Sequence, residues 1–148
     1  MIDKKKVLIT SVASDSHSWN LVFMQLWLEE HSFEVQNLGN CVPAAEVVEA
    51  CAEFHPALLV VSTVNGHGAI DGMKMIETLK TASPVETMRV VIGGKLSTAV
   101  EEQQELRRTL LEAGYDGVFT GPSALPHFER YMESCGLMPS TELKLATA

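Results

Sequence analysis

Asp15-Ser16-His17 sets a carboxylate two residues from an imidazole, just past the first apolar run of the chain. Near neutral pH an imidazole is largely unprotonated and can coordinate a metal through one ring nitrogen. The other nitrogen then needs an acceptor, which Asp15 can supply, fixing tautomer and ring orientation. The dyad by itself also fits an ordinary solvated loop, which is the commoner occurrence. Ser14, Ser16 and Ser18 surround it, and a serine beside a base would suggest hydrolysis. Sequence neighbours rarely reach that geometry, however, and no G-x-S-x-G elbow is present. Ser62-Thr63-Val64 and Gly93-Gly94 close two later apolar runs. The hydroxyls could meet a ligand or merely cap a helix or turn. The glycines admit close approach to the backbone, or make a plain turn. Asn65-Gly66-His67-Gly68 reads as a polar loop beside Ser62–Val64, with solvation the commoner role of His67.

The elements that must position these residues alternate. Val7–Val12, Phe33–Leu38, Ala57–Ser62, Met88–Ile92 and Gly117–Thr120 read as strands. Three of them are nearly unbroken apolar runs, which suits strands covered on both faces of a parallel sheet. Between them, Trp19–His31, Val42–Phe54, Gly68–Thr81, Thr98–Ala113 and Ser123–Cys135 read as helices. Pro43 near a helix start and Gly114 at a helix stop agree with this. The pattern βαβαβαβαβα predicts an α/β fold: a doubly wound, flavodoxin-like, five-stranded parallel sheet of order 2-1-3-4-5 with helices on both faces. The first and third strands then flank the topological switch, where such sheets bind ligands. Asp15–His17 follows the first, Ser62–Val64 the third, and Gly93-Gly94 the fourth. Asn20–Leu28 is apolar nearly all round, so Trp19, Phe23 or Trp27 faces either the core alone or also a ligand or another chain.

Length and charge narrow the functions. One domain is the simplest reading of 148 residues, as residues 1–136, with a loosely held tail over 137–148 containing Pro139. Lys+Arg is 11 and Asp+Glu is 19, a net charge of −8, which disfavours nucleic-acid phosphates as partners. No stretch is long enough to span a membrane, and Lys4–Lys6 with Val7–Ala13 makes a poor signal peptide. Cys41, Cys51 and Cys135 form no C-x-x-C pair and suit a reducing cytoplasm. His31, His55, His67 and His127 are scattered without zinc-ligand spacing. No G-x-G-x-x-G loop follows the first strand.

Taken together, Asp15-Ser16-His17-Ser18-Trp19-Asn20, Ser62-Thr63-Val64 and Gly93-Gly94 resemble the D-x-H-x-x-G…S-x-L…G-G signature of cobalamin-binding domains. The gaps of 41 residues between Asn20 and Ser62 and 28 between Val64 and Gly93 suit that family. The resemblance covers almost the whole chain and is nearest to the small, cobalamin-binding subunit of glutamate mutase (methylaspartate mutase). Ile70-Asp71 and Ala113-Gly114-Tyr115-Asp116 also read like that subunit. Two positions depart from the signature. Val64 replaces leucine and keeps the site apolar. Asn20 replaces glycine and adds a side chain where the cofactor's nucleotide tail is expected to pass.

The resemblance implies adenosylcobalamin as cofactor, with His17 displacing the dimethylbenzimidazole base and binding cobalt from below. Asp15 would tune that bond. Ser14, Ser16 and Ser18 would share the cofactor-binding loop, and Ser62, Thr63 and Val64 would line the cleft for the tail. Gly93, Gly94, Lys95, Leu96, Ser97 and Thr98 would contact tail and corrin edge, with Thr120 and Gly121 completing the wall. Homolysis of the cobalt–carbon bond would start a radical carbon-skeleton rearrangement. The chain is thus expected to be one subunit of an isomerase, inactive alone, within a hetero-oligomer whose larger subunit binds substrate. Arg89, Arg107, Arg108 and Arg130 are dispersed along the sequence, offering no clustered carboxylate site here. A corrinoid carrier for methyl transfer is the alternative; such proteins place a helical cap ahead of the motif, and here the motif begins at Asp15. A non-enzymatic module that has lost the cofactor is the third reading, kept open by Asn20.

Overall fold

The computed structural model describes residues 4–65, 67–82, 88–96 and 100–139. The elements run β1 (Lys6–Thr10), α1 (Trp19–Glu30), β2 (Glu34–Asn37), α2 (Ala44–Phe54), β3 (Leu58–Thr63), α3 (Gly68–Thr81), β4 (Arg89–Gly94), α4 (Val100–Ala113), β5 (Gly117–Thr120) and α5 (Ala124–Ser134). All strand pairs are parallel and the sheet order is β2-β1-β3-β4-β5. This is the predicted doubly wound sheet. Every residue of β3 is buried, which explains why its sequence shows no alternation.

Two apolar clusters sandwich the sheet. Leu8, Leu59, Val61, Val90 and Ile92 point to one side, where Val47 and Cys51 of α2, Met75, Ile76 and Leu79 of α3 and Leu110 of α4 cover them. Val7, Ile9, Leu58, Val60 and Val91 point to the other, under Leu21 and Leu28 of α1 and Phe128 and Met132 of α5. Three helices therefore cover one face and two the other. The two meet where Trp27 packs against Phe128, ring centroids 5.7 Å apart.

The strand ends differ from the expectation in ways that matter. β1 stops at Thr10, and Val12 is apolar because it packs into the core beyond the strand. β3 and β4 run further than their apolar character: Ser62 pairs with Gly93 and Thr63 with Gly94, so Gly93-Gly94 ends a strand rather than forming a turn. α2 begins at Ala44, because Pro43 is the extended residue ahead of the helix, with ψ 148°. The predicted start of α4 at Thr98 lies outside the described residues. Beyond α5, Leu137 packs against the core and Met138 is buried within it. Their amides donate to Met132 O at 2.9 and 3.1 Å. The packed unit thus reaches Met138, past the expected boundary at 136. Among the described residues no helix is long and apolar enough to cross a membrane.

Candidate functional site

Asp15 organises the carboxyl end of the sheet. Its side chain has no solvent exposure. Oδ2 accepts from Thr63 Oγ1 at 2.6 Å and from the Val64 N–H at 2.8 Å, tying the loop after β1 to the end of β3. Oδ1 accepts from the His17 N–H at 2.9 Å and lies 2.8 Å from His17 Nδ1. Burial alone pushes this carboxyl up. The hydrogen bonds from Thr63, the His17 and Val64 amides and the His17 ring outweigh it, holding the group at about 2 against an ordinary 3.8. Asp15 is therefore a carboxylate, and it holds the proton of the His17 ring on Nδ1. The imidazole is 61% exposed, and with Nδ1 engaged by Asp15 its Nε2 is the nitrogen left to meet a ligand.

The backbone around His17 is fixed from a third direction. Asn40, between β2 and α2, donates from Nδ2 to Ser16 O at 2.9 Å and to Ser18 Oγ at 2.8 Å. The Cys41 N–H donates to Asp15 O at 2.8 Å. Ser16, His17, Ser18, Trp19, Asn20 and Val64 line a shallow concavity around the ring. Among the described residues no group of three or more His, Cys, Asp or Glu could hold a metal ion. A lone, oriented imidazole suits a metal that arrives with its other ligands already attached.

Next to this concavity, a cavity of about 250 Å³ opens between α1 and α5 over the ends of β3, β4 and β5. Phe23 and Met24 of α1, Val60, Val91 and Phe119 of the sheet, and Leu125 and Phe128 of α5 form its apolar walls. Ser62, Gly93 and Gly94 line it as well, so the expected strand-end residues converge here. Added Cβ atoms at Gly93 and Gly94 would lie 2.7 Å from Phe119 O and 2.1 Å from Thr63 O, so both glycines are needed for strand packing itself.

The remaining expected residues divide. Thr63 is buried and points at Asp15. Ser14 turns away from His17, donating to Asp71 and accepting from Asn65 Nδ2 at 3.0 Å. Lys95 is exposed, with its N–H on Thr63 O at 2.9 Å. The Leu96 side chain is buried in the core on the α2–α4 side, away from the cavity, so it packs rather than lines. Thr120 pairs with Gly94 at the rim and Gly121 is exposed just beyond. Ser97 and Thr98 lie outside the described residues. Phe119, Leu125, Phe128 and Asn40 had no sequence assignment to the site. The all-round apolar character of Asn20–Leu28 was the available signal for the cavity: Phe23 faces it, Trp19 borders the His17 concavity, and Trp27 closes against Phe128.

The family profile described as the B12 binding domain matches residues 5–129. The chain belongs to this family. As a B12-binding domain it is similar to the glutamate mutase sigma subunit of Carboxydothermus hydrogenoformans, 29% identical over 129 residues, covering 86% of this chain and 93% of that one. The sigma subunit of Fusobacterium nucleatum is 26% identical over 116 residues, 78% of this chain and 85% of that one. Among solved structures, the monomethylamine corrinoid protein of Methanosarcina barkeri shares the fold of this B12-binding domain, with a TM-score of 0.70 at 18% identity. That likeness covers 88% of the present chain and 57% of the corrinoid protein, so the domain spans little more than half of that structure.

Proposed function

We propose that this chain is the cobalamin-binding subunit of an adenosylcobalamin-dependent carbon-skeleton mutase, with His17 as the lower ligand of cobalt. The observation that carries the reading is the His17–Asp15 contact of 2.8 Å, which leaves Nε2 facing outward on a ring held by a buried carboxylate. The donor set fits the cofactor: one imidazole would suffice for a metal that the corrin already holds, and an apolar cavity alongside would take a heteroaromatic tail. When bound, adenosylcobalamin supplies a carbon radical by homolysis of its cobalt–carbon bond.

The chain's own residues orient and hold. Asp15 fixes the tautomer of His17 and the orientation of its ring. Thr63 and the Val64 amide keep Asp15 ionised. Asn40 restrains the loop on both sides of the ring. Ser62, Gly93 and Gly94 belong to the tail-binding cleft in this reading, with Ser16, Ser18 and Val64 beneath the corrin. Glutamate mutase sigma subunits of nearly the same extent favour a mutase over a methyl carrier. They also support a larger partner subunit that binds substrate, glutamate being the nearest analogy. Three free cysteines suit a reducing cytoplasm.

The test is an ultraviolet–visible titration of cobalamin with the purified chain and with His17→Ala. The expected result is a base-off, histidine-ligated spectrum in the parent that is lost in the variant. An identical spectrum for both would overturn the assignment. Mutase turnover is expected only after a larger subunit is added, and turnover by this chain alone would contradict the division of labour.

A further inference from the structure

Asn20 stands on the rim shared by the His17 concavity and the apolar cavity, since it lines both. From the first turn of α1 its Nδ2 donates to Ser62 Oγ at the end of β3, at 2.9 Å. Among the described residues Asn20 and Ser62 are the two polar side chains on the cavity wall, and they are bonded to each other. Ser62 is buried. Ser62 Oγ accepts this bond and keeps its O–H to donate, so a heteroaromatic group entering the cavity would first meet the Asn20 amide bonded across the rim. The same asparagine has its Oδ1 buried with no hydrogen-bond partner among the described residues. An unmet buried acceptor is unfavourable, so the closed arrangement carries a cost that opening relieves. Swinging the amide out to water would satisfy Oδ1 and release Ser62.

We propose that the Asn20–Ser62 hydrogen bond is a latch across the tail cavity, making Asn20 a specificity-determining residue that discriminates between corrinoids by their nucleotide tails. The cobalt-bearing ring is held through His17 with or without a tail. The tail enters only when the amide leaves Ser62, so a tailed corrinoid loses affinity that a tailless one keeps. This inference rests on the proposed reading of His17 as a cobalt ligand.

The test titrates hydroxocobalamin and cobinamide, a corrinoid without the nucleotide, into the parent chain and into Asn20→Gly and Asn20→Ala, following absorption and heat of binding. Asn20→Ala keeps a strong helix former in α1 should glycine unsettle it. The latch predicts about tenfold tighter cobalamin binding in both variants, the equivalent of one net hydrogen bond, with cobinamide affinity equal in all three proteins. Equal cobalamin affinity across the series would overturn the latch, and so would an equal gain for both corrinoids, which would put the effect at the ring. His17→Ala separates the two failures. If it abolishes cobinamide ligation while the Asn20 series is flat, only the latch falls; if it binds cobinamide as the parent does, the underlying reading falls with it.

Discussion

Asp15 is a buried charge whose acceptors are shared between two loops, and its ionisation is linked to folding. Its carboxyl is held at about 2 in the folded chain against an ordinary 3.8. A depressed carboxyl contributes stability above its unfolded value and loses it as pH falls toward the folded one. The contribution is thus intact above about pH 4 and fades between about pH 4 and pH 2, amounting to roughly 2 kcal/mol. Asp15→Asn keeps the shape but sets an amide nitrogen against donors whichever way it turns, the Thr63 hydroxyl and Val64 N–H on one side or the His17 N–H and ring on the other. It is expected to cost about 2 kcal/mol or more at neutral pH. Urea denaturation across pH 2–7 should show both the loss and a flatter acid limb. The residue scale also explains the reach of sequence reading. The Asp15–His17 pair was legible because a single residue separates them. Thr63 is 48 residues from Asp15, Ser62 is 42 from Asn20, and Asn40 is 24 from Ser16. Those partners meet only through strand register and loop packing, which composition does not encode. Asn20 was visible as a departure from a signature, but not as a partner of Ser62.

At the scale of elements, the close fit of β3 to β4 fixes where the cavity floor lies. Gly94 has φ +109°, and a Cβ there would lie 2.1 Å from the Thr63 carbonyl oxygen, a backbone atom that cannot turn aside. Gly121 has φ +80° but open space around it. Gly94→Ala is expected to cost about 3 kcal/mol or more, and Gly121→Ala about 1–2 kcal/mol from backbone strain alone. Thermal denaturation of the two variants would test the difference; equal losses would mean that close approach is not what Gly94 provides. The element order and sheet order were legible because five apolar runs alternate with five helical segments. The ends of β3 and β4 were not, because their hydrophobicity falls while their ladder pairing continues through Ser62–Gly93 and Thr63–Gly94. β1 erred the other way, since Val12 is buried by packing after the ladder has ended.

At the scale of the molecule, the unequal covering of the sheet makes the site. On one face α2, α3 and α4 pack over the core. On the other, α1 and α5 touch through Trp27 and Phe128 and leave the cavity toward their first turns. Both helices start at the carboxyl edge of the parallel sheet, so the opening faces the same side as His17. Asn40 adds a consequence for local stability. The segment carrying Asn40 and Cys41 follows β2, a four-residue strand at the margin of the sheet. Margins of this kind open locally before the centre does. The imidazole's backbone hangs from that margin, so one fluctuation should release both. Hydrogen–deuterium exchange is expected to give the Glu34, Leu38 and Cys41 amides and the His17 amide a common opening free energy, and Asn40→Ala should let the His17 amide exchange faster on its own. The readiness of the loop that carries His17 is then set by the fraying of β2 at the sheet's edge.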